Sequence, residues 1–159
     1  MEKAQRQIRN YKDDDANGIV EVFYHAVHRS GQGHYSAAQL EAWAPSPLNY
    51  AYWQKRLAST QPFVAEQSHM VVGFIELGEA GHIGCFYVHP DYQQQGIGQQ
   101  LYHYLTEQAR ERNFAQLYVE ASHMARPFFE KKGFVYEKTN QVALNGQVLT
   151  NFSMRLHCL

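Results

Sequence analysis

The sequence predicts a mixed α/β (α+β) fold: a mostly antiparallel sheet with one parallel strand pair and helices on its faces. Three stretches predict it. Residues 62–88 hold three strand-like runs with short links, which read as an antiparallel meander. Residues 82–121 run strand, glycine turn, long helix, strand, so the second strand enters parallel to the first through a helical crossover. Residues 142–156 close the chain as a hairpin on an Asn145-Gly146 turn. At 159 residues, with no internal repeat or linker, the chain reads as a single domain, 1–159.

Taken in order, residues 7–11 form a first strand. Asp13, Asp14 and Asp15 supply N-cap groups and negative charge for a helix whose Ile19, Phe23 and Ala26 or Val27 fall at helical spacing; it ends near His28. Glycines at 31 and 33 break the chain, and Ser36 caps a second helix carrying Leu40 and Trp43 that stops before Pro45 and Pro47. A third helix spans residues 49–58. Strands at 62–66 and 70–77 turn at Ser68-His69, and Glu79-Ala80-Gly81 leads into the strand at 82–88, which Pro90 ends. From there Ile97, Leu101, Leu105 and Ala109 recur every four residues, a helical period. Residues 116–121 form the next strand. Residues 125–132 form a short helix with Pro127 in its first turn, Gly133 is its C-cap, and Phe134 restarts the sheet.

Composition excludes several function classes. The formal net charge is −1 with Lys and Arg scattered, so no nucleic-acid or other polyanion partner is expected. No apolar run reaches membrane-spanning length, and the first residues lack the apolar core of a signal peptide. Cys85 and Cys158 are too few for a disulfide framework, and a soluble cytoplasmic protein is expected. His25 and His28 lie one helical turn apart, but no carboxylate or cysteine completes a ligand set, so no metal is expected.

The chemistry gathers at the strand-turn-helix. The first N–H groups of a helix lack intrahelical partners and carry the positive end of its dipole, and glycines let a ligand approach them. A phosphate or diphosphate suits such a corner; a plain tight turn, needing no ligand, suits it too. The turn is neither a dinucleotide fingerprint, since Leu101 stands where a third glycine is required, nor a Walker loop, which ends Gly-Lys-Ser/Thr.

Gln93-Gln94-Gln95-Gly96-Ile97-Gly98 does match the pattern Gln/Arg-x-x-Gly-x-Gly/Ala after a strand ending Val88-His89-Pro90. In this the chain resembles the GCN5-related N-acetyltransferase (GNAT) superfamily. The segment from Ala125 through Phe128, Phe129, Glu130, Lys131, Lys132 and Gly133 to Phe134 is similar to that family's second motif, and the element order matches over nearly the whole chain. A bacterial YafP-like subgroup of uncharacterised acetyltransferases is similar at Glu120-Ala121-Ser122, at Pro127 to Glu130, and at Leu149 to Phe152.

The resemblance implies acetyl-CoA as cofactor, held by Phe86, Tyr87 and Val88, by Gln93, Gln94, Gln95, Gly96, Ile97, Gly98 and Gln99, and by Ser122, Phe128 and Phe129. Its pantetheine arm would pass between splayed strands ending near Val88 and Ser122, and an N–H near Val88 would polarise the thioester carbonyl. The loop is all glutamine where the family often carries basic residues. Phe129 stands where many members place a tyrosine acid. For the base, His82 and Glu120 are the candidates, imidazole being the side chain that changes charge near neutral pH; Glu76 is less well placed. Acceptor binding falls to residues 28–53, with His28, Tyr35 and Trp43 foremost, although core packing also suits these aromatics. The implied activity is transfer of acetyl to a small-molecule amine. A non-catalytic acyl-CoA sensor and a protein-lysine acetyltransferase are the alternatives, and a homodimer is expected to suit the closing strands.

Overall fold

The computed structural model describes residues 5–159. Seven strands form one sheet: β1 (Arg6–Asn10), β2 (Phe63–Gln67), β3 (Met70–Leu77), β4 (His82–Val88), β5 (Leu117–Ala121), β6 (Val135–Leu144) and β7 (Gln147–Leu156). Their spatial order is β1-β2-β3-β4-β5-β7-β6. All neighbours are antiparallel except β4 and β5, which pair parallel only at His82 with Tyr118 and Ile83 with Val119. Past those two rungs the strands run on unpaired, as expected of a splay.

Five α-helices cover the two faces: α1 (Ala16–His25), α2 (Ala37–Trp43), α3 (Tyr50–Thr60), α4 (Ile97–Glu111) and α5 (Arg126–Lys131). One core, with Leu101, Leu105, Val119, Phe129 and Met154, lies under α4 and α5. The other, with Ile19, Phe23, Trp53, Leu57 and Phe74, lies under α1 to α3. Each fully buried leucine contributes about 1.5–3 kcal/mol, so the four-residue stripe of α4 is what fixes that helix, and its N-terminus, against β4. Ser36 caps α2 as expected: its Oγ accepts from Gln39 N–H (3.1 Å) while Gln39 Oε1 accepts from Ser36 N–H (2.8 Å).

Three features depart from the sequence reading. The first helix does not simply end near His28; α1 stops at His25 and widens into a π-helical turn, Ala26–Ser30. Asp15 is not a surface cap but a buried carboxylate gripped by both terminal nitrogens of Arg9, each at 2.8 Å. The strand restarted at Phe134 and the first arm of the hairpin read from Val142 are one continuous edge strand, β6, exposed along nearly all its length.

Candidate functional site

The gap between β4 and β5 is built by the ladder itself. His89 N–H donates to the Val72 carbonyl at 2.8 Å. Alternation along an antiparallel pair then turns the peptide groups of Val88 and Phe86 away from β3 and toward β5. β5 no longer pairs there, so these groups have no partner on that strand. Lower down, Ile75 pairs with Phe86 and Leu77 with Ile83, so β4 holds one residue more than β3 across this step. Glu76 stabilises that bulge, its Oε1 accepting from Cys85 N–H and from Arg56 Nη2, both at 2.8 Å. Gly84 is required here, because a Cβ would stand 2.7 Å from Glu76 Oε1.

At the upper end of the gap lies a cleft of ≈ 330 Å³ lined by Val88, the 92–99 loop except Gln95, Ser122 and Phe128. Gln94 (φ 61°) and Gly96 (φ 81°) both lie in the left-handed region. A glutamine there is uncommon and marks a loop held in a defined shape. Among the described residues nothing stands within 4 Å of where a Gly96 Cβ would be, so its place is steered by conformation and leaves room beside the first turn of α4. Convergent amides at a 15-residue helix start fit a diphosphate.

The loop's missing charge arrives from elsewhere in the fold. Arg6 on β1 donates from Nη1 to the Gln95 carbonyl (2.8 Å) and to Gln100 Oε1 (3.2 Å). Lys132, just past α5, bonds Gln99 Oε1 and lies over the Tyr102 and Phe128 rings. On the opposite wall Ala26 and Ser30 of the π turn line the cleft, and Arg29 of the same turn pairs with Asp91 at 2.9 Å.

A second cleft, ≈ 210 Å³, opens on the other side of the gap and shares Phe86, Tyr87, Ser122 and Ala125 with the first. Tyr35 and Trp43 form its α2 wall, Val142, Leu144 and Leu149 its hairpin wall, and Glu120 its charged group. Glu120 Oε2 lies 2.6 Å from His82 Nε2. His82 in turn lines a separate ≈ 540 Å³ hollow below, with Arg56 and Glu76. The pair therefore bridges the small cleft and the outside.

Glu76 is a different case. Burial alone would push its carboxyl up, but Arg56 and the Cys85 N–H outweigh that and hold it below the usual range. With its Oε1 already accepting twice, it braces the bulge and makes a poor base. Burial pushes the Tyr87 hydroxyl well above the ordinary phenol range, so it stays protonated.

The structure brings together most of the residues expected at the cofactor, and separates a few. Phe86, Tyr87, Val88, Gln93, Gln94, Gly96, Ile97, Gly98, Gln99, Ser122 and Phe128 line the upper cleft. Gln93 uses its amide on the Val88 carbonyl (3.0 Å). Gln95 faces Arg6 instead, and Phe129 is 1% exposed, packed among Phe86, Phe128 and Phe134 with only its edge toward the lower cleft. Tyr35 and Trp43 line the lower cleft; His28 does not, its Nε2 lying 2.7 Å from the Ala44 carbonyl. Arg6, Lys132, the π turn and the hairpin wall were missed. Only Lys132, inside the second motif, carried a signal in sequence.

Comparison with known proteins meets this geometry. The Acetyltransferase (GNAT) domain family matches residues 32–156. The chain is 36% identical over 149 residues, 94% of each chain, to the uncharacterised N-acetyltransferase YafP of Escherichia coli (strain K12). A GCN5-related N-acetyltransferase from Rhodopseudomonas palustris superposes with TM-score 0.91 at 33% identity, covering 100% of this chain and 99% of that one. The PaiA N-acetyltransferase of Thermoplasma acidophilum, solved in complex with coenzyme A, shares the fold (TM-score 0.77, 18% identity, 95% and 98% coverage). A splayed strand pair, an amide-rich helix start and a family match across most of the sequence lead to one assignment: the chain belongs to the GNAT acetyltransferases.

Proposed function

We propose that the protein transfers the acetyl group of acetyl-CoA to the amine of a small molecule, by direct attack with both bound at once. The observation that carries this reading is the pair of clefts meeting in the β4–β5 gap at Phe86, Tyr87, Ser122 and Ala125. One suits a long diphosphate-bearing arm, the other a compact acceptor, and holding both at one point supplies proximity.

When bound, acetyl-CoA supplies a thioester whose carbonyl carbon accepts the amine nitrogen: the C–N bond forms, the C–S bond breaks, and its electron pair leaves on sulfur. The chain's own groups do the rest. Glu120 takes one proton from the incoming ammonium, and His82 behind it can hand that proton on toward the lower hollow. The Phe86 and Val88 peptide groups face the gap and polarise the carbonyl. The second amine proton ends on the departing sulfur. With Phe129 lacking a hydroxyl, Tyr87 and Ser122, residues that line both clefts, are the hydroxyl-bearing candidates for that donor. A Tyr87 hydroxyl held protonated favours a hydrogen bond to the thiolate over full proton transfer.

The test is thiol release from acetyl-CoA with a panel of amines, beside calorimetric binding of coenzyme A. Amine-dependent release is expected. Tight coenzyme binding with no release across the panel would refute the reading.

A further inference from the structure

The lower cleft is open, and apolar side chains make up the larger part of its wall, beside Tyr35, Tyr87, Glu120, Ser122, Thr150 and Asn151. Val142 and Leu144, on its hairpin wall, are 39% and 36% exposed. Aliphatic surface held open at a cleft mouth is unfavourable in water unless a ligand covers it. The walls do not close on each other, because they are tied at fixed separation. Asn145 Nδ2 donates to the Ala42 carbonyl (2.8 Å), Gln39 Nε2 to the Val148 carbonyl (2.9 Å), and the Tyr35 hydroxyl to the Thr150 carbonyl (3.1 Å).

Several polar groups of the lining already hold partners within the protein. Thr150 Oγ1 donates to Gln141, Asn151 Oδ1 accepts from Asn140, and Ser122 Oγ accepts from the Ala125 N–H. The Tyr35 hydroxyl, besides donating, accepts from the His123 N–H at 3.2 Å. Among the described residues that line the cleft there is no lysine, arginine or histidine, and Glu120 is the lone carboxylate. A guest therefore meets a wall more apolar than polar, a few hydroxyl and amide groups, and one formal charge, which is negative.

We propose that the acceptor is a primary amine on an apolar or aromatic body that carries no carboxylate, its ammonium received by Glu120. This rests on the acetyl-transfer reading above and names its substrate class. Size agrees: a cavity of about 150 Å³ admits benzene, so ≈ 210 Å³ admits one ring and a short arm. An α-amino acid of the same body would carry its carboxylate beside that of Glu120, like charge against like, with no lysine or arginine in the lining to offset it. Once the ammonium has given Glu120 its proton, the neutral amine attacks, acetyl passes from sulfur to nitrogen, and the thiol keeps the remaining proton.

The experiment measures thiol release with matched pairs, phenethylamine against phenylalanine and hexylamine against norleucine, and with a lysine peptide. The amines are expected to exceed their amino acids in kcat/KM by on the order of 100-fold. Leu144→Arg, at a half-exposed site checked by thermal unfolding, is expected to narrow that ratio about tenfold by giving the carboxylate a partner. Equal rates within the pairs, preference for the amino acids, or turnover of the peptide alone overturns the apolar-amine assignment and leaves acetyl transfer standing. No release with any acceptor, from protein that still binds coenzyme A, overturns the parent reading and this one together.

Discussion

The two clefts are made in opposite ways. The upper one is centred on consecutive residues of one loop and the strand and helix it joins, where backbone amides at a helix start face the guest, with the π turn and the Ser122–Phe128 stretch closing it. The lower one is side chain, brought from α2, β4, β5 and the closing hairpin, stretches that lie up to about a hundred residues apart, as the 115-residue step between Tyr35 and Thr150 shows. A backbone site tolerates variation in side chains but not in conformation or charge. A side-chain site behaves the other way round. Substitutions can therefore tell the two apart.

Outside both clefts lies a third arrangement that serves as a control. Arg9 holds Asp15 with two nitrogens and Glu66 with a third at 2.9 Å, tying β1, β2 and the entry to α1. Arg9→Met would leave Asp15 buried and unpaired, and the expected loss is about 3–5 kcal/mol of stability, with the acetyl-CoA KM of the folded fraction unchanged. The pH dependence has a definite sign. Burial would raise the Asp15 carboxyl, yet the Arg9 bonds and the Lys12 N–H outweigh it and hold it low. A depressed carboxylate stabilises above its unfolded pKa, about 3.9, and that contribution disappears as pH falls through the folded value. Urea titrations should show the gap between native protein and variant closing below about pH 4.

For the lower cleft, Glu120→Gln should reduce kcat by on the order of 10²–10⁴ while calorimetry finds coenzyme affinity unaltered. His82→Gln should cost less and change the shape of the kcat–pH profile, since His82 acts through Glu120 and not on the acceptor. If His82→Gln leaves that profile superimposable on the native one, the 2.6 Å contact is only structural.

For the upper cleft, Gly96→Asp should weaken coenzyme A binding by on the order of 100-fold, because a carboxylate would stand where a diphosphate belongs. Gly96→Ala separates the two causes. Among the described residues no atom lies within 4 Å of the new methyl, so the strain of φ 81° is what remains, about 1–2 kcal/mol in stability. If alanine and aspartate weaken binding alike, charge is not what matters and the diphosphate assignment fails.

The same division decides what could be read from sequence. Gln93 to Gly98 was legible because a change of period from two to four and two glycines are local signals, and they carried the family match with them. Tyr35 and Trp43 were reachable only through the family's habit of roofing its acceptor with that stretch. His28 sat in the same stretch, but a hydrogen bond to Ala44 removes it, and no pattern in sequence foretells that. Phe129 falls at a motif position yet packs into an aromatic cluster, whose depth depends on Phe86 and Phe134 arriving from other strands and loops. The hairpin wall was invisible for a plainer reason: Val142 and Leu144 alternate as any strand does, and only the ties to Ala42, Val148 and Thr150 show what they face.

The smallest effect tests whether the contrast between the clefts is complete. A loop of glutamines lacks charge, so a strictly local account would have coenzyme binding insensitive to cations elsewhere. Lys132 contradicts that account, since it reaches Gln99 at the start of α4 from beyond α5. Its ammonium is exposed, so its attraction for an anion is screened by salt and modest. Lys132→Met keeps the aliphatic stem against Tyr102 and Phe128 and removes the charge alone. Coenzyme A affinity should fall about threefold to fivefold at low salt and by less than twofold near 0.5 M salt. A loss that ignores salt would mean that Lys132 acts by packing, and no loss at all would make the upper cleft as local as its sequence suggests.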